Sequence, residues 1–208
     1  AGDLRKEAEQ CQTLKSAIPT LEDLPLAEDR EKTLVRVQGT LQSQLSPKIE
    51  RVLNNDSSED LFTREPYLST FELLNVSGNS SGFDFTIFSI HTKPALAMDE
   101  INALHTVVES YRENNTMETD LIILGDFNAD CSYANSQELW DSPMRLPQYN
   151  WLVNDLADTT VSSTDCAYDR IVTLDELNGR LVGSWGIDDS FNSTDVSDHY
   201  PVWFDLYR

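Results

Sequence analysis

Positive charge is scarce in this chain. Fifteen Lys and Arg face 36 Asp and Glu, for a formal charge of −21. That excludes a protein that grips nucleic acid through a broad basic surface. It leaves room for an enzyme that meets phosphates through bound divalent cations, because the ion inverts the local field. An acidic surface that serves only solubility has the same composition. Long hydrophobic runs are also missing. None approaches the ~20 residues that span a bilayer, so no membrane span is expected. Residues 1–20 read as polar and helical rather than as a signal peptide. Cysteine is limited to three residues. Cys131 and Cys166 could close a loop worth about 3–4 kcal/mol by the chain-entropy estimate. Cys11 is then left over, free or paired with another chain.

What is present suits one sizeable domain and an appendage: 208 residues, 39% of them hydrophobic. Five Asn-X-Ser/Thr sequons, at Asn55, Asn75, Asn79, Asn114 and Asn192, favour a secreted, extracellular glycoprotein.

The pattern changes near residue 56. Leu4, Ala8, Cys11, Leu14, Ile18 and Leu21 recur at helical spacing, and Pro19 and Pro25 interrupt them. Leu34, Val37, Leu41, Leu45, Ile49 and Val52 form a second stripe, which Pro47 should end or kink. Residues 1–57 therefore read as a helical arm that covers a sheet or mediates assembly. Residues 58–208 read as the main domain. In it, strands are expected over Tyr67–Leu74, Phe83–Ile90, Leu121–Leu124, Arg170–Leu174 and Val202–Tyr207. Pro94–Asn114 is expected as a helix with Met98, Ile101, Leu104, Val108 and Tyr111 on one stripe. Glu138–Trp140 and Gln148–Asn154 look like short helices, and the stretch 77–82 looks like a turn. The fold class is α+β. Strands apolar on both faces need covering on both, and the expected helices cover only one.

Four segments gather ionisable groups, three of them at strand ends: His91 in SIHTKP, Asp126 and Asn128 in GDFNAD, Asp169 in CAYDRIV, and Asp198 with His199 in SDHYPV. Carboxylate and amide oxygens are hard ligands that suit Mg²⁺. A histidine beside a carboxylate is an oriented general base. Brought to one sheet edge, these groups suit metal-assisted phosphodiester hydrolysis. Taken singly each is weak, since a strand-end Asp commonly caps a turn and a lone His is commonly structural.

In order and spacing, GDFNADCSY, TDCAYDRIV and SDHYPV resemble the C-terminal half of the deoxyribonuclease I family, in the endonuclease/exonuclease/phosphatase superfamily. DLFTREP at 60–66, SIHTKP at 89–94 and LADTT at 156–160 extend the likeness from about Asp60 to Arg208. The resemblance implies one sheet layer of a deoxyribonuclease I-like α/β sandwich and an endonuclease that uses Mg²⁺ and structural Ca²⁺ on DNA. It implies His91 and His199 as catalytic histidines, with Asp169 orienting His199. Asp126, Asn128 and Asp198 would bind metal and phosphate. Arg64, Tyr133 and Tyr168 would touch DNA. Asp158, Thr160, Ser162 and Thr164 would form one calcium loop, and Asp60, Phe62 and Glu65 part of a second calcium site. Cys131–Cys166 would be the family's disulfide.

Residues 1–57 match nothing in the family's N-terminal half, which supplies two glutamates, one for the metal and one for the first histidine. This departure implies weak or no hydrolysis by the chain alone. The alternative it raises is a catalytically dead extracellular binding or assembly module. It also implies self-association or a second protein chain to cover the sheet.

Overall fold

The computed structural model describes 35–36, 45–52, 61–74, 77–174, 177, 181–190, 192–195 and 197–206. Its strands are β1 (Val35–Arg36), β2 (Leu45–Val52), β3 (Tyr67–Leu74), β4 (Ser80–His91), β5 (Leu121–Asp126), β6 (Tyr149–Trp151), β7 (Asp169–Leu174), β8 (Leu181–Ile187) and β9 (Val202–Leu206). Helix α1 spans Ala97–Asn114 after a 3-10 turn at Pro94–Leu96, and α2 spans Ser136–Asp141.

Six strands form the main sheet in the order β2-β3-β4-β5-β7-β6, and β1-β9-β8 form a small second sheet. The pair β4–β5 is parallel, and α1 is its crossover. A parallel connection needs such a crossover, and the helix it carries must lie on a face of the sheet. The stripe on α1 does so. Ile101, Leu104, Val108 and Tyr111 are buried in one cluster with Phe88, Ile90, Leu121 and Ile123. Tyr111 meets Phe88 edge-on at 5.2 Å.

The other face follows from the period of two along β4. Phe83 and Phe85 point away from α1, into a second cluster with Leu73, Ile122, Ile171, Val202 and Phe204. Phe85 packs on Phe71 at 5.8 Å and on Phe83 at 5.9 Å. Each fully buried Phe contributes about 1.5–3 kcal/mol of apolar burial. Val202 and Phe204 belong to β9, so the chain supplies part of a second layer itself.

Several expectations need correction. Leu45–Val52 is a strand, not the end of a helical stripe. It pairs with β3 from Leu45↔Leu73 to Val52↔Tyr67, with an irregularity between Pro47 and Ile49. It is the last strand of that sheet, the position where a proline with no N–H to donate is tolerated. Sheet pairing has overridden a helical stripe. The first helical run, Leu4–Leu21, lies outside the described residues, as does Cys11. Gln148–Asn154 is not a helix; Tyr149–Trp151 pairs with Leu174, Thr173 and Val172. Leu181–Ile187 is a strand with no counterpart in the expected elements, and Val202–Leu206 joins it in the second sheet rather than the main one.

Candidate active site

The strand register builds the site. In the β4–β5 pair His91 stands opposite Asp126, and in the β5–β7 pair Asp126 stands opposite Asp169. Three ionisable residues on adjacent strands thus reach the same level of one sheet edge. The His91 Nε2 atom lies 3.4 Å from Asp126 Oδ2. His199 comes from outside the main sheet. Its backbone bridges Thr160, and its Nδ1 lies 2.7 Å from Asp169 Oδ2. Asp126, Asp169 and His199 each offer a ligand atom, all within 4.8 Å of one another.

The turn after β5 is shaped for this. Asn128 adopts φ 47°, a left-handed conformation that Asn tolerates better than most residues. Its N–H donates to Asp126 Oδ1 at 2.9 Å, and its Nδ2 donates to the Thr92 carbonyl at 3.1 Å. The side chain is buried, so the turn is braced against the end of β4. Asp130 Oδ2 accepts the Ala167 N–H at 2.8 Å. The Cys131–Cys166 disulfide ties the same two loops, with Cα atoms 5.8 Å apart.

Electrostatics follow from this crowding. Burial pushes the Asp126 carboxyl up; the Asn128 N–H opposes this and the charge of Asp169 adds to it. The His199 imidazole is pushed up to about 9. Its hydrogen bond to Asp169 is the main cause; burial opposes it, and the charges of Asp169, Asp126 and Asp198 add to it. Two carboxylates and an imidazole in a partly buried group suit a divalent cation, whose charge would relieve the repulsion between the acids.

The remaining expected residues fall around this centre. Asp198 is not in the group of three; its carbonyl accepts the Val161 N–H, and its charge reaches His199. Tyr168 lies beside His199 with ring centroids 6.0 Å apart, and Tyr133 beside Tyr168 at 5.3 Å. These rings form a row leading away from His199. Arg64 is exposed, yet its Nε donates to the His91 carbonyl at 2.9 Å and its Nη2 to the Thr92 carbonyl at 3.0 Å. Asp158 Oδ1 accepts both the N–H and the hydroxyl of Thr160 at 3.0 Å. Ser162 and Thr164 share a hydroxyl–hydroxyl bond, and the Thr164 carbonyl also lies within hydrogen-bond reach of the Thr160 hydroxyl, which shares its one proton between that carbonyl and Asp158, so these four residues form one polar loop. Phe62 is buried in the core and Glu65 is half-buried, while Asp60 lies outside the described residues. Asn79, Asn114 and Asn192 are exposed; Asn55 and Asn75 lie outside the described residues.

Sequence reasoning passed over Thr159 and Arg170. The fully buried Thr159 hydroxyl accepts the Tyr168 N–H at 3.0 Å and the Asp169 N–H at 3.1 Å, and donates to the Cys166 carbonyl at 3.2 Å. Arg170, also fully buried, donates to the carbonyls of Val153 at 2.9 Å and Ala129 at 3.1 Å and pairs with Asp155 at 2.9 Å. Burial lowers its guanidinium to about 10 against the opposing charge of Asp155. The signal for Thr159 was its place inside LADTT, between the two residues that did draw attention.

The chain thus combines a mixed sheet, a crossover helix on one face, a second sheet on the other and an acid–histidine edge. Among solved structures the fold is like that of D. rerio TDP2 complexed with single strand DNA product, with TM-score 0.59 and 10% identity over 95% of this chain and 91% of that one. It is also like the endonuclease/exonuclease/phosphatase from Bacteroides vulgatus, with TM-score 0.52 and 16% identity over 79% of this chain and 67% of that one. In sequence, the chain is 38% identical over 163 residues to deoxyribonuclease-1 of Sus scrofa, covering 72% of this chain and 55% of that protein. It is 37% identical over 161 residues to deoxyribonuclease-1-like 1 of Bos taurus, covering 73% of this chain and 49% of that protein. The aligned part of the chain is thus similar in sequence to deoxyribonuclease-1, and the fold is like that of these solved structures. The chain spans about half the length of the curated relatives it matches. No family model matches it. Among the described residues, no helix is long and apolar enough to cross a membrane.

Proposed function

We propose that this chain carries the catalytic edge of a secreted, divalent-metal-dependent phosphodiesterase that acts on DNA. The observation that carries this reading is the Asp169–His199 pair standing within ligand distance of Asp126. In it, Asp169 accepts the Nδ1–H of His199 and fixes the ring; a cation bound near Asp126 would lower the imidazole from its metal-free value of about 9, and Nε2 would then take a proton from the attacking water. His91, on the far side of Asp126, would supply a proton to the oxygen that leaves as the P–O ester bond breaks. Asp126, with Asn128 and Asp198, would hold Mg²⁺, which when bound would neutralise charge on the phosphate. The loop Asp158–Thr160–Ser162–Thr164 would hold a structural Ca²⁺. Tyr133, Tyr168 and Arg64 would line the path of the DNA strand. The disulfide and the exposed sequons support an oxidising, extracellular setting.

The test is plasmid nicking with Mg²⁺ and Ca²⁺, on the chain alone. Relaxed circles that vanish in EDTA and in His199→Ala support the reading. Intact supercoils with the folded wild-type chain would remove it for the chain alone.

One observation favours a second reading, a catalytically silent binding or assembly module. Among the described residues, the carboxylate that pairs with His91 is Asp126 itself, the proposed metal ligand, so a proton on His91 and a cation at Asp126 compete for one group. A native mass above one chain together with inert DNA would favour this module.

A further inference from the structure

Glu100 has a burial that its residue type rarely shows. It lies in the first turn of α1 with 1% of its surface exposed. A carboxylate is almost never fully buried without partners. Here Oε1 accepts the Thr63 N–H and Oε2 accepts the Lys93 N–H, both at 2.9 Å. One side chain therefore joins three segments: the stretch before β3, the connection leaving β4, and α1. The neighbour of Thr63, Arg64, then clamps the His91 and Thr92 carbonyls. Thr92 is fully buried, donates its N–H to the Asp126 carbonyl at 2.9 Å, and accepts from Asn128 at its own carbonyl.

The His91 side chain is 55% exposed, so packing does not fix it. Its direction must come from its own backbone and from Asp126. We propose that Glu100 is a positioning residue for His91: it sets the 63–64 peptide so that Arg64 grips the end of β4. This rests on the reading of His91 as a proton donor. The structural part stands apart from that reading. Glu100 has no path to substrate of its own, and it acts through the backbone of residues that do.

Replacing the acid by its amide separates charge and geometry from bulk. In Glu100→Gln one of the two acceptors becomes a donor facing a backbone N–H, so one tie is lost while volume is kept. The experiment is amide exchange and assigned ¹H–¹⁵N spectra of the wild-type chain, Glu100→Gln, Arg64→Lys and the exposed control Glu113→Gln, with DNA nicking kinetics in parallel. Glu100→Gln is expected to speed exchange at Thr63 or Lys93 by at least about tenfold and to shift the His91 and Thr92 resonances. Arg64→Lys is expected to shift the same His91 and Thr92 resonances with Thr63 and Lys93 still protected. Glu113→Gln is expected to change none of these.

If the wild type nicks DNA, kcat for Glu100→Gln is expected to fall by about ten- to a hundredfold, with KM moving less. Unmoved His91 resonances in either Glu100→Gln or Arg64→Lys would overturn the proposal. So would an active wild type whose kcat survives Glu100→Gln. If Glu100→Gln does not fold, Arg64→Lys decides alone, by whether the His91 resonances move. A wild type that is inert on DNA removes the catalytic reading of His91 and leaves the spectra to decide the positioning role.

Discussion

A Cβ built on Gly125 would stand 1.9 Å from the backbone carbonyl oxygen of Ile90. The two residues are register partners in the parallel β4–β5 pair, one step before His91 and Asp126. Gly125 also takes φ 135°, a region in which other residues are strained. Close approach of the two backbones at this step is thus what brings the histidine and the acid level. Gly125→Ala is expected to destabilise the protein by at least about 3 kcal/mol, because a backbone atom rather than a flexible side chain must yield. Urea unfolding measures this. A loss under about 1 kcal/mol would show that the strands part without cost.

His199 gives a pH prediction whose sign is fixed by its partner. Its imidazole titrates at about 9 in the fold, against 6.5 as its ordinary value. A raised value means that the charged pair with Asp169 stabilises the fold fully below about pH 6.5 and ceases to as pH rises through about 9. In metal-free buffer the His199 ring protons are expected to titrate well above those of an exposed histidine. Asp169→Asn should bring them back down. Added Mg²⁺ should also lower the value, because a cation near Asp126 repels the imidazolium. A titration curve that Mg²⁺ does not move would argue against a cation at this group.

How much of this could be read in the sequence depends on how local each signal is. The crossover helix announces itself, since Ile101, Leu104, Val108 and Tyr111 recur within one segment and all face the sheet. The both-face burial of β4 is legible in the same way, in Phe83 and Phe85 against Phe88 and Ile90. The stripe through Leu45, Ile49 and Val52 misleads because a helix period is a local fact, whereas β2 exists through its pairing with Tyr67–Leu73. At the site, His91, Asp126, Asp169 and His199 attract notice as ionisable residues, three of them at strand ends. Glu100, Thr159 and Arg170 do not. Their partners lie 7 to 41 residues away and are mostly backbone groups, which leave no mark on residue type.

The disulfide closes a loop of 35 residues that contains α2 and β6. The chain-entropy estimate for such a loop is about 4 kcal/mol. Cys131→Ser with Cys166→Ser should lower stability by roughly that amount. It should loosen the Asp126 turn less, because Asp130 still accepts the Ala167 N–H across the same gap. The check is urea unfolding of the double variant beside wild type, with and without reductant. Reductant should bring wild type down to the double variant and leave the variant unchanged.

Thr159 supplies the sharpest test of how the acid–histidine pair is held. Its hydroxyl oxygen accepts the N–H groups of both Tyr168 and Asp169, and its proton goes to the Cys166 carbonyl. Its own backbone also takes part: its N–H donates to Cys166 O at 3.0 Å, and its carbonyl accepts from Tyr200 N–H at 2.9 Å. The strand that carries Asp169 and the segment that carries His199 therefore meet at one residue. Thr159→Val keeps the shape and removes the hydroxyl, leaving two backbone donors without that acceptor. At about 1–3 kcal/mol for each buried donor left unpaired, the expected loss is about 2–6 kcal/mol. Thr159→Ser retains the hydroxyl and should lose only about 1 kcal/mol for the missing methyl. If the hydroxyl also sets the Asp169–His199 contact, the His199 titration should fall in Thr159→Val and hold in Thr159→Ser. Equal stability and equal titration in the two variants would reduce Thr159 to a packing residue.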